Sequence, residues 1–282
     1  MIRCLEIIEE YREDIVGLWK TSFADDASYI DFFLDNCPYS RFIAHFENGS
    51  VVSMLFLLDG SFRGSRCGYI YAACTSPEFR KRGLMGELIE YTKIYCFDSG
   101  YRYIFLVPGN EGLYEYYSRF GFVSVFQKQR ITLDLTGFEN KSCDLSLSDD
   151  LLTVKKALVS NIDAFVFDDG TMEYTIAEHR FNGGEVLCVD NGSEKSIAFY
   201  SFDGRDIYIK ELLSDIGINT RLSVYLFKKY MPENIYILCP IVYNSVDNEA
   251  IYTKCGMICP ANPSEREELT RCSASYAGMY LD

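Results

Sequence analysis

Histidine is scarce: the 282 residues contain only His45 and His179. Two histidines give little support to a zinc site or to a Cys/His nucleophile, so no metal is expected. The Cys-x-x-Cys pattern is absent although there are 11 cysteines, and the closest pair, Cys255 and Cys259, has no histidine nearby. An odd number of cysteines spread through apolar runs reads as a set of buried thiols in a reducing compartment. No apolar run reaches membrane-spanning length. The start, Met1-Ile2-Arg3-Cys4-Leu5-Glu6, lacks the apolar stretch of a secretion signal, and a cytoplasmic protein is expected. Positive charge is also in deficit, 27 Lys and Arg against 41 Asp and Glu, for a net charge of −14. That balance argues against nucleic acid or an anionic membrane as the main partner and suits a cationic amine.

Apolar residues are plentiful at 48%, and the length suggests two domains of ordinary size. The most informative stretch runs from Tyr69 to Glu90. Tyr69-Ile70-Tyr71-Ala72-Ala73-Cys74-Thr75 is an apolar run of strand type, and Ser76-Pro77-Glu78-Phe79 breaks it. Arg80-Lys81-Arg82-Gly83-Leu84-Met85-Gly86 follows, then Leu88, Ile89 and Tyr91 at helical spacing. A buried strand thus feeds a basic, glycine-containing turn that opens a helix. The first-turn N–H groups of a helix lack partners and its dipole is positive there, so such a turn captures anions. Gly83 lets the backbone approach a ligand closely.

At these residues the chain resembles the GNAT acyl-CoA N-acyltransferase family, whose signature Arg/Gln-x-x-Gly-x-Gly/Ala cradles the pyrophosphate of coenzyme A. Arg80, Gly83 and Met85 occupy the three signature positions. Met85 departs from Gly or Ala, in the manner of acetyltransferases of the enhanced-intracellular-survival type. Asn110-Glu111-Gly112-Leu113-Tyr114-Glu115-Tyr116-Tyr117-Ser118-Arg119-Phe120-Gly121-Phe122 is similar to the second family signature, a short helix ending Leu-Tyr-x-x-x-Gly-Phe. The resemblance implies acetyl-CoA as co-substrate. It implies contacts to it from Cys74, Thr75, Arg80, Lys81, Arg82, Gly83, Leu84, Met85, Gly86 and Asn110. It also implies that Tyr117 protonates the leaving thiolate. A covalent role for Cys74 is the lesser reading.

Along the chain, an N-terminal strand, two helices, a hairpin turning at Asn48-Gly49 and the stretch just described make a first domain, residues 1–138. Residues 122–126 and 130–135 read as its last two strands. A polar linker spans residues 136–149. The remainder, 148–282, repeats the first domain. Residues 184–189 and 196–202 mirror the first hairpin, 207–213 the central strand, and 235–240 the strand ending at Pro108. Tyr252-Thr253-Lys254-Cys255-Gly256-Met257 repeats the spacing of Tyr117 to Phe122. Residues 214–220 lack the basic signature, and Asp215 would repel a phosphate, so cofactor is expected in the first half only. The expected fold is α/β with a mixed sheet: two tandem GNAT-like domains, the second degenerate.

The implied reaction is acetyl transfer to a primary amine of a small molecule or peptide, by direct attack. The general base is not assigned by the sequence. Glu111, Asp59, Asp31, Glu211 and the C-terminal carboxylate at Asp282 are candidates, with an inter-domain hydrogen bond the favoured role for Glu211. Two readings from other classes stay open: an acyl-CoA-binding regulator without chemistry, and an interaction scaffold.

Overall fold

The computed structural model describes residues 1–216, 220–241, 243, 250–271 and 275–278. The chain runs β1 (Ile2–Leu5), α1 (Arg12–Phe23), α2 (Ala27–Asn36), β2 (Arg41–Glu47), β3 (Ser50–Phe62), β4 (Ser65–Thr75), α3 (Leu84–Asp98), β5 (Tyr103–Leu106), α4 (Glu111–Ser118) and β6 (Val123–Thr132). It continues α5 (Leu151–Val159), β7 (Ala164–Phe167), α6 (Asp169–Phe181), β8 (Glu185–Asp190), β9 (Lys195–Asp203), β10 (Asp206–Ser214), α7 (Thr220–Tyr230), β11 (Ile235–Pro240), β12 (Ile251–Pro260), α8 (Glu265–Arg271) and β13 (Tyr276–Ala277). Residues 122–126 and 130–135, expected as two strands, are instead covered mainly by the single strand β6, because no turn residue interrupts Val123 to Thr132.

Two compact units form. The first holds Met1–Val125, Phe167–Tyr174 and Gly256–Cys272; the second holds Phe126–Val166, Thr175–Cys255 and Ser273–Asp282. They differ from the contiguous halves 1–138 and 148–282. In the first unit β1, β2, β3 and β4 pair antiparallel in that order, and β4 pairs with β5 in parallel. The next partner of β5 is the Met257–Pro260 end of β12, antiparallel, from the second half of the chain. In the second unit β8, β9 and β10 pair antiparallel and β10 pairs with β11 in parallel. The next partner of β11 is β6, antiparallel, from the first half. Each mixed sheet is therefore completed by a strand from the other half of the sequence.

Local chemistry explains the elements. Asn48 and Gly49 take φ of 53° and 91°, the double left-handed geometry of a two-residue hairpin turn. Ile15, Leu18 and Trp19, spaced for one helical face, are the buried residues of α1. The Trp19 ring lies 5.0 Å from Phe33, 5.8 Å from Phe56 and 5.6 Å from Tyr71. This aromatic cluster fastens α1 and α2 to β3 and β4. On β4, Ile70 instead joins a core with Leu88, Ile89, Ile104 and Leu106, which seats α3. Of the ten described cysteines, all are free thiols, but Cys4 and Cys143 are only partly buried, a departure from the expectation that every thiol is interior.

The duplication is visible within the second unit as hairpin β8–β9, bulged central strand β10, crossover helix α7 and parallel strand β11. One expected correspondence fails: Tyr252 lies in strand β12 and is 61% exposed, whereas Tyr117 lies in a helix. A tyrosine four residues before a glycine is compatible with either element. Asp215 accepts a hydrogen bond from the Lys195 amide at 2.9 Å, while Gly217, Ile218 and Asn219 of the same connection lie outside the described residues.

Glu211 is also corrected. Two of its partners lie within its own unit, where an inter-domain bond was expected: Lys155 Nζ stands 2.7 Å from its carboxylate, and the Tyr276 hydroxyl donates to it at 3.3 Å. Both charged side chains are almost fully buried, and the Lys155 ammonium sits 4.5 Å from the Phe199 ring centroid. Removing one member strands the other in a low dielectric. Lys155→Met is expected to destabilise the protein by about 3–5 kcal/mol. Lys155→Met with Glu211→Gln should recover most of that loss. Urea unfolding of the three proteins checks this; a Lys155→Met variant as stable as the parent would contradict it.

Candidate active site

The site begins where two strands part. β4 and β5 are in register from Cys67–Tyr103 to Ile70–Leu106. There β5 ends, while β4 continues to Thr75. On its other edge, β4 keeps pairing with β3, but with a slip: Tyr71 faces Phe56 and Cys74 faces Met54. Ala72 and Ala73 therefore stand opposite Leu55 alone, a β-bulge. Ala72 takes φ of 49°, a left-handed conformation that costs a non-glycine residue roughly 1–2 kcal/mol. The bulge re-aims the backbone of β4 as its β5-side edge becomes free of strand pairing.

The far end of β4 is pinned. Ser53 Oγ donates to the Cys74 carbonyl at 3.1 Å and lies 2.7 Å from Thr75 Oγ1. Arg80 Nε donates to the Thr75 carbonyl at 3.0 Å, which ties the basic turn back to the strand. Lys81 and Gly83 both have positive φ, 62° and 85°, so the turn winds tightly before α3 begins at Leu84. No side chain caps α3, and the first bond of its ladder runs from Glu87 N–H to the Gly83 carbonyl at 3.0 Å. The amides of Leu84, Met85 and Gly86 thus precede the ladder and face an anion-attracting pole. A Cβ at Gly83 would meet nothing within 4 Å, so the space beside it is open.

The remaining residues of the turn divide. Arg82 is held by Glu47 at 3.1 Å and lies 5.0 Å from the Phe79 ring centroid. Lys81 has no ion-pair partner among the described residues and is exposed. Gly86 faces the protein: a Cβ there would press on Phe120 at 3.2 Å. Asn110 caps α4, its side-chain oxygen accepting from Leu113 N–H at 3.2 Å.

Tyr117, on α4, is buried among Tyr116, Phe122 and the core beneath α3. Burial pushes its phenol up to about 12, with Tyr116 and then Cys74 adding to the rise. Cys74 is buried as well, and burial raises its thiol to about 12 against small opposing effects from Ser22 and Arg80. Ala73 of β4 packs against the same core cluster as Tyr117, which places α4 beside the free part of β4. β4 also carries aromatic side chains: Tyr71 shares a 2.8 Å hydroxyl–hydroxyl hydrogen bond with Tyr29, and Tyr69 packs on Phe105 at 5.2 Å and on Phe167 at 5.5 Å.

Among the candidate bases, Asp59 is engaged by Arg66 at 3.2 Å and by the Tyr101 hydroxyl, and it faces Gly68, on the paired stretch of β4 before the bulge. Asp31 is held by Arg12 at 2.7 Å. Glu211 belongs to the buried pair described above. Glu111 opens α4 and is exposed. Asp282 lies outside the described residues. Sequence reasoning missed the bulge at Ala72 and Ala73. Its only trace was a pair of small residues in an otherwise bulky run.

Residues 4–122 match the model of the Acetyltransferase (GNAT) family. Over this region, less than half of the chain, the sequence is similar to the GNAT acetyltransferases. Structures similar to the whole chain include GCN5-related N-acetyltransferases from Anabaena variabilis ATCC 29413 and Kribbella flavida. The first has a TM-score of 0.73, 11% identity and coverage of 93% of this chain and 73% of that one. The second has a TM-score of 0.67, 13% identity and coverage of 94% and 73%. Eis1 from Mycobacterium abscessus is similar at a TM-score of 0.65 and 14% identity, over 93% of this chain and 74% of Eis1. At these identities the likeness is one of fold. No curated protein sequence matches the chain.

The buried thiol of Cys74 is unsuited to forming an acyl-enzyme. At pH 8 a group titrating near 12 is ionised to only about 10⁻⁴. Native alkylation with iodoacetamide, read by mass spectrometry, is expected to leave Cys74 unmodified while the partly exposed Cys143 reacts. Preferential labelling of Cys74 would instead point to an activated thiolate.

Proposed function

We propose that this GNAT domain transfers an acetyl group from acetyl-CoA directly to a primary amine of a small molecule or peptide. The observation that carries the reading is the open edge of β4 between its bulge and the uncapped start of α3, with a buried phenol beside it. The pyrophosphate of the cofactor would sit at the amides from Gly83 to Gly86, with Arg80 and Lys81 adding charge. Its pantetheine arm, which carries two amides, would lie along the free edge of β4 as a strand does. The thioester would then reach the bulge, where a re-aimed backbone N–H stabilises the oxyanion. Gly86 and Asn110 support this assembly, Gly86 by admitting Phe120 and Asn110 by capping α4. The free thiols suit a cytoplasmic setting.

The leaving sulfur departs into the surroundings of Cys74 and Tyr117. Burial raises both of those groups to about 12, because neither can ionise there without losing water. A coenzyme thiolate formed in the same place bears the same desolvation cost, which raises its proton affinity toward that of the phenol. Donor and acceptor are thereby matched, the condition for efficient proton transfer. Tyr117 remains protonated across the physiological range, so it should set no alkaline limb in the pH profile of kcat below about pH 12.

Tyr117→Phe is expected to lower kcat by roughly 10²–10⁴-fold while acetyl-CoA affinity is retained, since the ring still packs. Tyr114→Phe is the control and should be near neutral. Steady-state kinetics over an amine panel, beside direct binding of acetyl-CoA, reads both. Full kcat in Tyr117→Phe with chemistry rate-limiting would return the tyrosine to a packing role, and cofactor binding without turnover of any amine would favour a regulator.

Gly83→Val should weaken acetyl-CoA binding by at least about tenfold, because a branched side chain both resists positive φ and occupies the open approach. Calorimetry should give one cofactor per chain in the parent. Two equivalent sites, or parental affinity in the variant, would contradict the placement.

A further inference from the structure

The second unit has a cavity of about 530 Å³ that the proposed reaction does not use. Its floor is the sheet. Lys128 and Arg130 come from β6, Tyr236 and Leu238 from β11, and Tyr208 and Lys210 from β10. Leu238 pairs directly with Arg130, and Tyr236 with Tyr208, so the floor has two levels. At one level an apolar Leu238 lies between strands that carry Arg130 and Lys210. At the next, the Tyr208 and Tyr236 rings stack at 4.8 Å with 25° between planes.

Three cationic side chains and two carboxylates, Glu178 and Asp203, line the cavity. His179 adds no charge: burial lowers its pKa. Its Nε2 lies 3.0 Å from the Glu185 carbonyl and 3.1 Å from the Tyr200 carbonyl. Both neighbours are acceptors, so Nε2 carries the proton and Nδ1 is left as an acceptor. Gly184 makes room for the ring, since a Cβ there would collide with it. The lining thus carries one positive charge in excess. Arg130 is exposed, and its guanidinium has no ion-pair or hydrogen-bond partner among the described residues.

We infer that this cavity is a second ligand site, for a small aromatic monocarboxylate. Arg130 offers a planar fork that fits a carboxylate through two parallel hydrogen bonds. The flat body of such a ligand would cover Leu238 and the edge of the tyrosine stack, where ring–ring contact favours an aromatic over an aliphatic acid. A single excess positive charge matches a monoanion and not a phosphate dianion. The volume lies within the range of small-molecule sites. Two of the three cations arrive on β6, from the first half of the chain, so the site exists only because that strand completes the second sheet.

The probe is 4-hydroxybenzoate, titrated into the full chain by calorimetry and followed by saturation-transfer NMR. Binding of the carboxylate is expected, at least about tenfold weaker for the neutral 4-hydroxybenzamide and at least about tenfold weaker in Arg130→Gln. Arg130 is exposed, so its replacement leaves the fold intact, and Tyr208→Ala provides a second variant that should weaken binding through the stack alone. Gly83→Val, in the other unit, should bind the probe as the parent does. The inference is overturned by absence of binding at millimolar 4-hydroxybenzoate, by equal binding of the amide, by insensitivity to Arg130→Gln, or by tighter binding of inorganic phosphate. Loss of binding in Gly83→Val would overturn it too, by placing the probe at the cofactor turn.

Discussion

The first unit depends on one interrupted pairing. β4 and β5 separate after Ile70 and Leu106, and the free edge of β4 is tolerable only if something satisfies its backbone. An edge exposed to water is paired by water, but an edge lined by buried groups such as Cys74 and Tyr117 is poorly wetted. The bulge at Ala72 and Ala73 adds to that liability, because it breaks the ladder on the β3 side as the β5 side opens. A left-handed alanine is held in place by the packing on either flank. Tyr71 is locked into the Trp19 cluster and Cys74 beside Ser53, so the strained residue cannot relax without disturbing both.

The second constraint is the exchange of strands. Neither contiguous half of the chain contains the whole of its sheet, since β5 is covered by the end of β12 and β11 by β6. The exchange couples duplication to divergence. The second half lost the basic turn and placed Asp215 near the start of its crossover helix, but it retained a parallel pair, β10 and β11, with a bulge at Lys210. The central strand is thus bulged in both units, although only the first carries the basic turn. In the second unit the sheet face carries charge and stacked tyrosines, and β6 brings Arg130 to it.

Much of this was readable in the sequence, for definite reasons. Period-2 apolar runs with an Asn-Gly turn define the β2–β3 hairpin, and a Gly at positive φ after a basic run announces the start of α3. These are local signals, set by residues a few positions apart. Tyr117 is singled out in the sequence by its spacing to Gly121, where positive φ and the close approach of Arg266 both exclude a side chain. What escaped is non-local. The bulge depends on register against β3, the exchange of β6 and β12 depends on contacts over a hundred residues apart, and the Lys155 partner of Glu211 lies on α5, far from β10 in sequence. Tyr252 shows the converse: a correct spacing carried no information about the element that bears it. The Glu47 partner of Arg82 was likewise unreadable, because it is distant in sequence.

Electrostatics ties the two substrates of the proposed reaction together. With a net charge of −14 the protein repels a polyanionic cofactor at long range, but salt confines that repulsion to about 8 Å at physiological ionic strength. Inside that distance, capture passes to directional groups. Arg82 is neutralised by Glu47, and Glu87 in the first turn of α3 lies 3.0 Å from His45, so the turn is less cationic than its sequence suggests. In the proposed reaction the backbone amides of α3 would then supply the larger share of phosphate recognition, with Gly83 more important than a third free cation. In the same proposal a cationic amine would experience the opposite field and would meet an aromatic wall at Tyr69 and Tyr71, since ring faces favour a cation. Once the amine is desolvated there its proton affinity falls, so burial that raises the proton affinity of the leaving thiolate lowers that of the attacking nitrogen. One desolvated gap thereby biases both proton transfers in the direction the reaction requires.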